Sequence, residues 1–131
     1  MIDCENEVYT KIATALRSEF PGIDVTGDVV NVPSAFPHVS IVQADNTMVP
    51  AFTGMDNEMA DLMYEVNVYS NKAGSKKTEC KTIMALISDA FFGMNFRRMN
   101  LTPVDNRDET TIYRLTARFR GRTDGIYFYR S

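Results

Sequence analysis

The chain has 131 residues, 44% of them hydrophobic and 24% charged, with a net charge of −3 and a pI near 5.1. That length fits one domain with a real core. The acidic balance argues against a dedicated nucleic-acid binder, which needs a surplus of phosphate-neutralising cations. Two cysteines, Cys4 and Cys80, are too few for a secreted disulfide scaffold and read as small core residues.

The N-terminal Met-Ile-Asp-Cys-Glu-Asn-Glu has neither the basic nor the apolar region of a signal peptide. No run approaches ~18 consecutive apolar residues, the length of a membrane span. These features predict a protein made and kept in a reducing cytoplasm.

Asp3 is the expected N-cap of a first helix, with Glu5 and Glu7 in its first turn. Val8, Ile12, Ala15 and Leu16 repeat at helical spacing. Pro21-Gly22 stops the helix. Ile23 to Val32 is β-branched and broken at Gly27-Asp28, which predicts a short strand or hairpin at a sheet edge. Pro33 and Pro37 impose an extended linker. Val39 to Ala44 is a strand.

Asp45 to Ala60 shows no consistent period and reads as a loop. It holds Met48, Val49, Phe52, Met55 and Met59, more apolar side chains than a solvated loop needs. Two roles are open for it: folding back over the core, or forming an arm that orders against a partner, where adaptable methionines fit well.

Leu62 to Tyr69 alternates, with Tyr64, Val66 and Val68 on one face. A turn follows, and Ser75 is the expected N-cap of a second helix from Lys76 to Phe92. Its stripe is Cys80, Ile83, Met84, Ile87, Ala90 and Phe91, and Gly93 is the expected C′ glycine. Phe96 to Val104 and Thr111 to Arg120 are strands joined by the polar turn Asp105 to Glu109, so they should form a hairpin. A short strand closes the chain after Ile126. This order predicts an α+β fold: an antiparallel or mixed sheet of five to six strands with two helices packed on one face.

The most informative stretch is Tyr113 to Arg120. Tyr113, Leu115, Ala117 and Phe119 point one way; Arg114, Thr116, Arg118 and Arg120 point the other. Three roles are open for the arginine face: a solvated sheet surface, a contact with acidic neighbours including copies of the same chain, or a contact with nucleic acid.

Catalytic chemistry is hard to assemble from these residues. His38 is the only histidine and has no Cys or Asp at metal spacing, so it reads as structural or surface. Asp56, Glu58 and Asp61 lack the spacing of a calcium loop and read as solvated. Gly74-Ser-Lys-Lys-Thr lacks the first glycine of a phosphate loop. No catalytic residue, metal or cofactor is expected. A small ligand-binding module and, more remotely, an acid-loop hydrolase or nuclease are the alternatives.

The layout resembles phage tail terminator and tail completion proteins. The residues that carry the resemblance are Phe36-Pro37-His38-Val39, Tyr64 to Asn71, the Lys76-Lys77 helix start, Gly93 and Phe96. Ile112-Tyr113-Arg114, Arg118-Phe119 and the aromatic end Ile126 to Tyr129 complete it. The resemblance implies a non-catalytic virion subunit assembled in the host bacterial cytoplasm. It would form a hexameric homo-oligomeric ring that caps the tail tube, ends tube polymerisation and offers a surface for head attachment. Implied partners are further copies, the tail tube protein and a head–tail connector protein, with no membrane and DNA only passing through the lumen. A head–tail connector or minor capsid protein is the near alternative. Met48, Phe52, Met55, Met59, Arg114, Arg118 and Arg120 are the expected interface residues.

Overall fold

The computed structural model describes residues 1–50, 58–104 and 111–129. In chain order the elements are α1 (Glu5–Glu19), β1 (Asp24–Thr26), β2 (His38–Pro50), β3 (Glu58–Ser70), α2 (Lys76–Gly93), β4 (Arg97–Val104), β5 (Tyr113–Thr123) and β6 (Phe128–Tyr129). They build a six-stranded sheet in the order β1-β2-β3-β5-β4, with β6 paired to the end of β5. β1 runs parallel to β2 and the other pairs are antiparallel. The α+β fold with a mixed sheet is therefore as expected. The expected hairpin is β4 and β5, and β1 is the short edge strand.

One face of the sheet takes both helices. Val8, Ile12 and Leu16 of α1 and Cys80, Ile83, Ile87 and Phe91 of α2 join Val39, Ile41, Tyr64, Val66, Val68, Leu115, Ala117 and Phe119 in one buried cluster. The period-2 sets of β3 and β5 meet there in register, Tyr64 opposite Phe119 and Val68 opposite Leu115. Burying each large apolar side chain contributes about 1.5–3 kcal/mol. The core's densest part is aromatic. Phe91 stacks on Phe119 at 4.3 Å, and Phe96 meets Phe91 edge-on at 5.2 Å.

Four local readings are corrected. Cys4, not Asp3, is the N-cap of α1, and Asp3 Oδ1 accepts a hydrogen bond from the Glu5 N–H at 3.2 Å. Gly93 lies within α2, and the left-handed residue is Asn95, at φ 66°. The Asn95 N–H reaches the Phe92 carbonyl and the Phe96 N–H reaches the Phe91 carbonyl, at 3.0 and 2.9 Å. That is a Schellman closure, with the Phe91–Phe96 contact sealing it. Asn replaces Gly here because its Nδ2 also donates to the Phe128 carbonyl at 2.8 Å, tying the helix end to β6.

The third correction is the largest. Asp45 to Pro50 and Glu58 to Ala60 are strand, not loop: they extend the β2–β3 hairpin, pairing Asp45 with Met63 and Pro50 with Glu58. A bulge at Ala44, between Gln43 and Asp45, shifts the phase, and Asp45 to Met48 are exposed on both faces, so no apolar period marks them. One extra residue flips every later side chain to the other face. Fourth, Glu58 and Asp61 are accordingly strand residues held by ion pairs, not solvated loop acids. Asp56 and the turn 105–109 lie outside the described residues.

Among the described glycines, Gly121 leaves the least room for a Cβ. A Cβ there would stand 2.9 Å from two ring carbons of Phe96, whose ring is itself held by Phe91, Tyr64 and Phe128. Gly121→Ala should therefore destabilise by about 1–3 kcal/mol in urea unfolding. Pairing it with Phe96→Leu should recover part of that loss, and additive losses would show that the close contact is not the cause.

Candidate functional site

The sheet face away from the helices is polar, and its rows follow from the strand register. Across β2, β3, β5 and β4 they read His38, Tyr69, Arg114, Val104; then Ser40, Asn67, Thr116, Thr102; then Val42, Glu65, Arg118, Asn100; then Asp45, Met63, Arg120, Arg97. Thr47, Asp61 and Arg122 form the last row, where β6 contributes Tyr129. The arginine face of β5 is therefore real, and its partners come from β3.

Three acceptor side chains of β3 hold it. Asp61 accepts from Arg122 Nε at 2.7 Å and Nη2 at 3.1 Å, and from Arg120 Nη2 at 3.3 Å. Glu65 Oε1 accepts from Arg118 Nη2 at 3.4 Å. Asn67 Oδ1 accepts from Arg114 Nε at 3.0 Å and from Thr116 Oγ1 at 2.6 Å. Arg114 also lies over the Tyr69 ring, 5.5 Å from its centroid. The hydrogen bonds from Arg122 hold the Asp61 carboxyl below its ordinary value, against an opposing effect of desolvation. Asp61 is 13% exposed while Arg120 and Arg122 are 41% and 40% exposed. The acid is thus sunk between two cations that still face solvent.

The upper rows are buried despite their polarity. His38, Ser40, Asn67, Tyr69 and Thr116 are all buried. His38 Nδ1 stands 2.8 Å from Asp24 Oδ2, and Nε2 stands 3.3 Å from Thr26 Oγ1, which fastens β2 to β1. His38 is a structural residue. Burial pushes the Tyr69 hydroxyl's pKa up.

The other sequence-predicted interface residues divide. Met48 on β2 is 69% exposed, opposite Ala60 on the helix side of the sheet. Met59 on β3 is half-buried, opposite Val49 on the polar side. The two methionines therefore sit on opposite faces of one hairpin. Phe52 and Met55 lie outside the described residues. Arg114, Arg118 and Arg120 do share one surface, with Arg122 continuing it.

Sequence reasoning missed Arg97 and Arg98. Every residue of β4 before Val104 is exposed, including Met99 and Leu101. A bulge at Met99 breaks the strand's alternation, which hid Arg97's place beside Arg120. The adjacent Arg-Arg pair opening a strand was the available signal.

Both thiols are free and buried. Cys80 is buried between the Val68 and Tyr113 carbonyls, and burial pushes its pKa up to about 12. Burial raises that of Cys4 as well. Among the described residues no group of three or more His, Cys, Asp or Glu is placed to hold a metal ion. The arrangement offers oriented charge and hydrogen-bonding surface.

The fold is similar to that of a chain in a solved structure described as the virion of a native gene transfer agent particle. The match has a TM-score of 0.61 and 18% sequence identity, and covers 90% of this chain and 92% of that one. No protein-family model matches this chain, and no curated protein sequence matches it.

The Asp61 site gives a pH signature. Its carboxyl has a lowered pKa in the folded chain, so its stabilisation is fully present above the unfolded value of ~3.9. It is lost as pH falls through the folded value. Asp61→Asn should lower the urea midpoint at neutral pH, and the gap to the parent chain should close as pH falls below ~3.9. A gap that persists unchanged in acid would assign the effect to packing instead of charge.

Proposed function

We propose that this chain is a structural protein of a phage-like virion that assembles into a ring capping the tail tube. The ring ends tube polymerisation and presents the surface to which the head attaches. The observation that carries this reading is the likeness in fold, over nearly the whole of both chains, to a chain of a virion particle. The resemblance of the sequence to tail terminator and tail completion proteins supplies the position in the particle.

The physical character of the surfaces agrees with that role. A ring needs each subunit to offer two different patches that meet head to tail and close. This sheet has one helix-covered face and one polar, arginine-bearing face, so its two sides are unlike. Its long β2–β3 hairpin presents the exposed Met48. The work is mechanical: copies fit side by side, on a tube below and a head above, with no bond made or broken. The hexameric stoichiometry, the tube and connector partners and the place in the tail are parts of this proposal.

The test is a tube-length assay. Purified chain added to polymerising tail-tube subunits should shorten the tubes and appear at one end by electron microscopy. Tubes that grow to the same length with the chain left unbound would remove the capping role. Binding to a head–tail connector ring without any effect on tubes would move the chain to the connector side of the joint.

A further inference from the structure

The described surface has two corners of opposite charge, one at the start of β4 and one where α1 begins. The first is cationic. Arg97 and Arg98 open β4, both exposed, Arg97 on the polar side and Arg98, opposite Phe119, on the helix side, and carry no ion pair among the described residues. Arg97 lies directly across from Arg120. Arg120 and Arg122 share one carboxylate, Asp61. Like charges directly opposed across a strand pair are unfavourable on their own. Among the described residues this corner is therefore short of anions. Met99, 46% exposed, and Leu101, 39% exposed, lie beside it on β4.

The second corner is anionic and lies on the helix side, where α1 begins and the chain turns from β5 to β6. Asp3, Glu5 and Glu7 are all exposed there. With Glu58 and Asp124, Asp3 lines a cleft of about 620 Å³ between the N-terminus and the 124–126 turn. Asp124 is fixed by N–H groups of Ile126 and Tyr127 at 2.9 and 2.8 Å, which builds that turn and turns its apolar tip outward. Ile126 is 75% exposed and Tyr127 65%. Like its counterpart, this corner sets charge beside exposed apolar side chains.

We infer that the arginine corner of one copy, at Arg97 and Arg98, docks onto the acidic corner of the next copy, at Asp3, Glu5 and Glu7. The inference rests on the ring reading and names the surfaces that would close the ring. The two corners are different patches, so the contact is heterologous and propagates head to tail. Guanidinium groups pair with carboxylates in forked geometry. Met99 and Leu101 would meet Ile126 and Tyr127, which supply the apolar centre that a stable protein contact needs. That apolar flank, and a chain with net charge −3, favour a protein partner over a phosphate backbone.

Reciprocal charge reversal tests it. Arg97→Glu with Arg98→Glu makes both corners acidic; Glu5→Arg with Glu7→Arg makes both basic. Each variant alone should self-associate on the order of tenfold more weakly than the parent chain in sedimentation velocity, and raised salt should weaken the parent chain too. A one-to-one mixture of the two variants should restore assembly, because each reversed corner then meets its complement. Restoration also shows that both variants are folded. Variants that assemble like the parent chain overturn the contact and leave the ring reading standing. So does a mixture that stays dissociated while each variant keeps a native circular dichroism spectrum. Loss of binding to duplex DNA with unchanged self-association would assign the arginines to phosphate and overturn it as well. A parent chain that remains a monomer at every concentration and salt overturns the ring reading and this contact together.

Discussion

Everything in this molecule hangs on the pairing of β3 with β5, in register from Ala60 opposite Thr123 to Ser70 opposite Tyr113. These two central strands carry opposite chemistry on their two faces. On one side Tyr64, Val66, Val68, Leu115, Ala117 and Phe119 form the floor on which both helices rest. On the other, Asp61, Glu65 and Asn67 of β3 meet Arg122, Arg118 and Arg114 of β5. A slip of one residue would put arginines under the helices and Leu115 and Phe119 in water, so the apolar face and the ion pairs specify the same register. Core and surface are thus two readings of one alignment.

How much of this was legible depends on where the period of two survives. β3 and β5 keep strict alternation through their central stretches, and their core residues were readable in advance. The same holds for the helical stripe from Cys80 to Phe91. The period shifts at Ala44 and at Met99, and there the readings fell short: the outer half of the β2–β3 hairpin looked like a loop, and the place of Arg97 beside Arg120 went unread. A bulge adds one residue without any compositional mark, so a single sequence cannot announce it. The end of α2 was misread for another reason. Asn95 adopts the left-handed turn expected of Gly93 because a side-chain bond to Phe128 holds it, a contact distant in sequence.

The arginine surface shows the same division. That Arg114, Arg118 and Arg120 share a face follows from alternation alone. That Asp61 sits between Arg120 and Arg122 follows only from the β3–β5 register. Glu65 and Asp61 therefore pair part of the arginine charge within the chain, and Arg97 and Arg98, on the edge strand β4, carry no ion pair among the described residues. Unmatched charge at an edge is suited to steering and aligning a neighbour, a role in which complementarity sets orientation more than strength. This picture suits a protein whose output is the geometry of an assembly.

The central claim is that copies of this chain close on one another. Native mass spectrometry of the purified chain across a range of concentrations tests it most directly. The account predicts one discrete closed oligomer that gains no further subunits as concentration rises. A monomer throughout, or an open-ended ladder of masses, would contradict it.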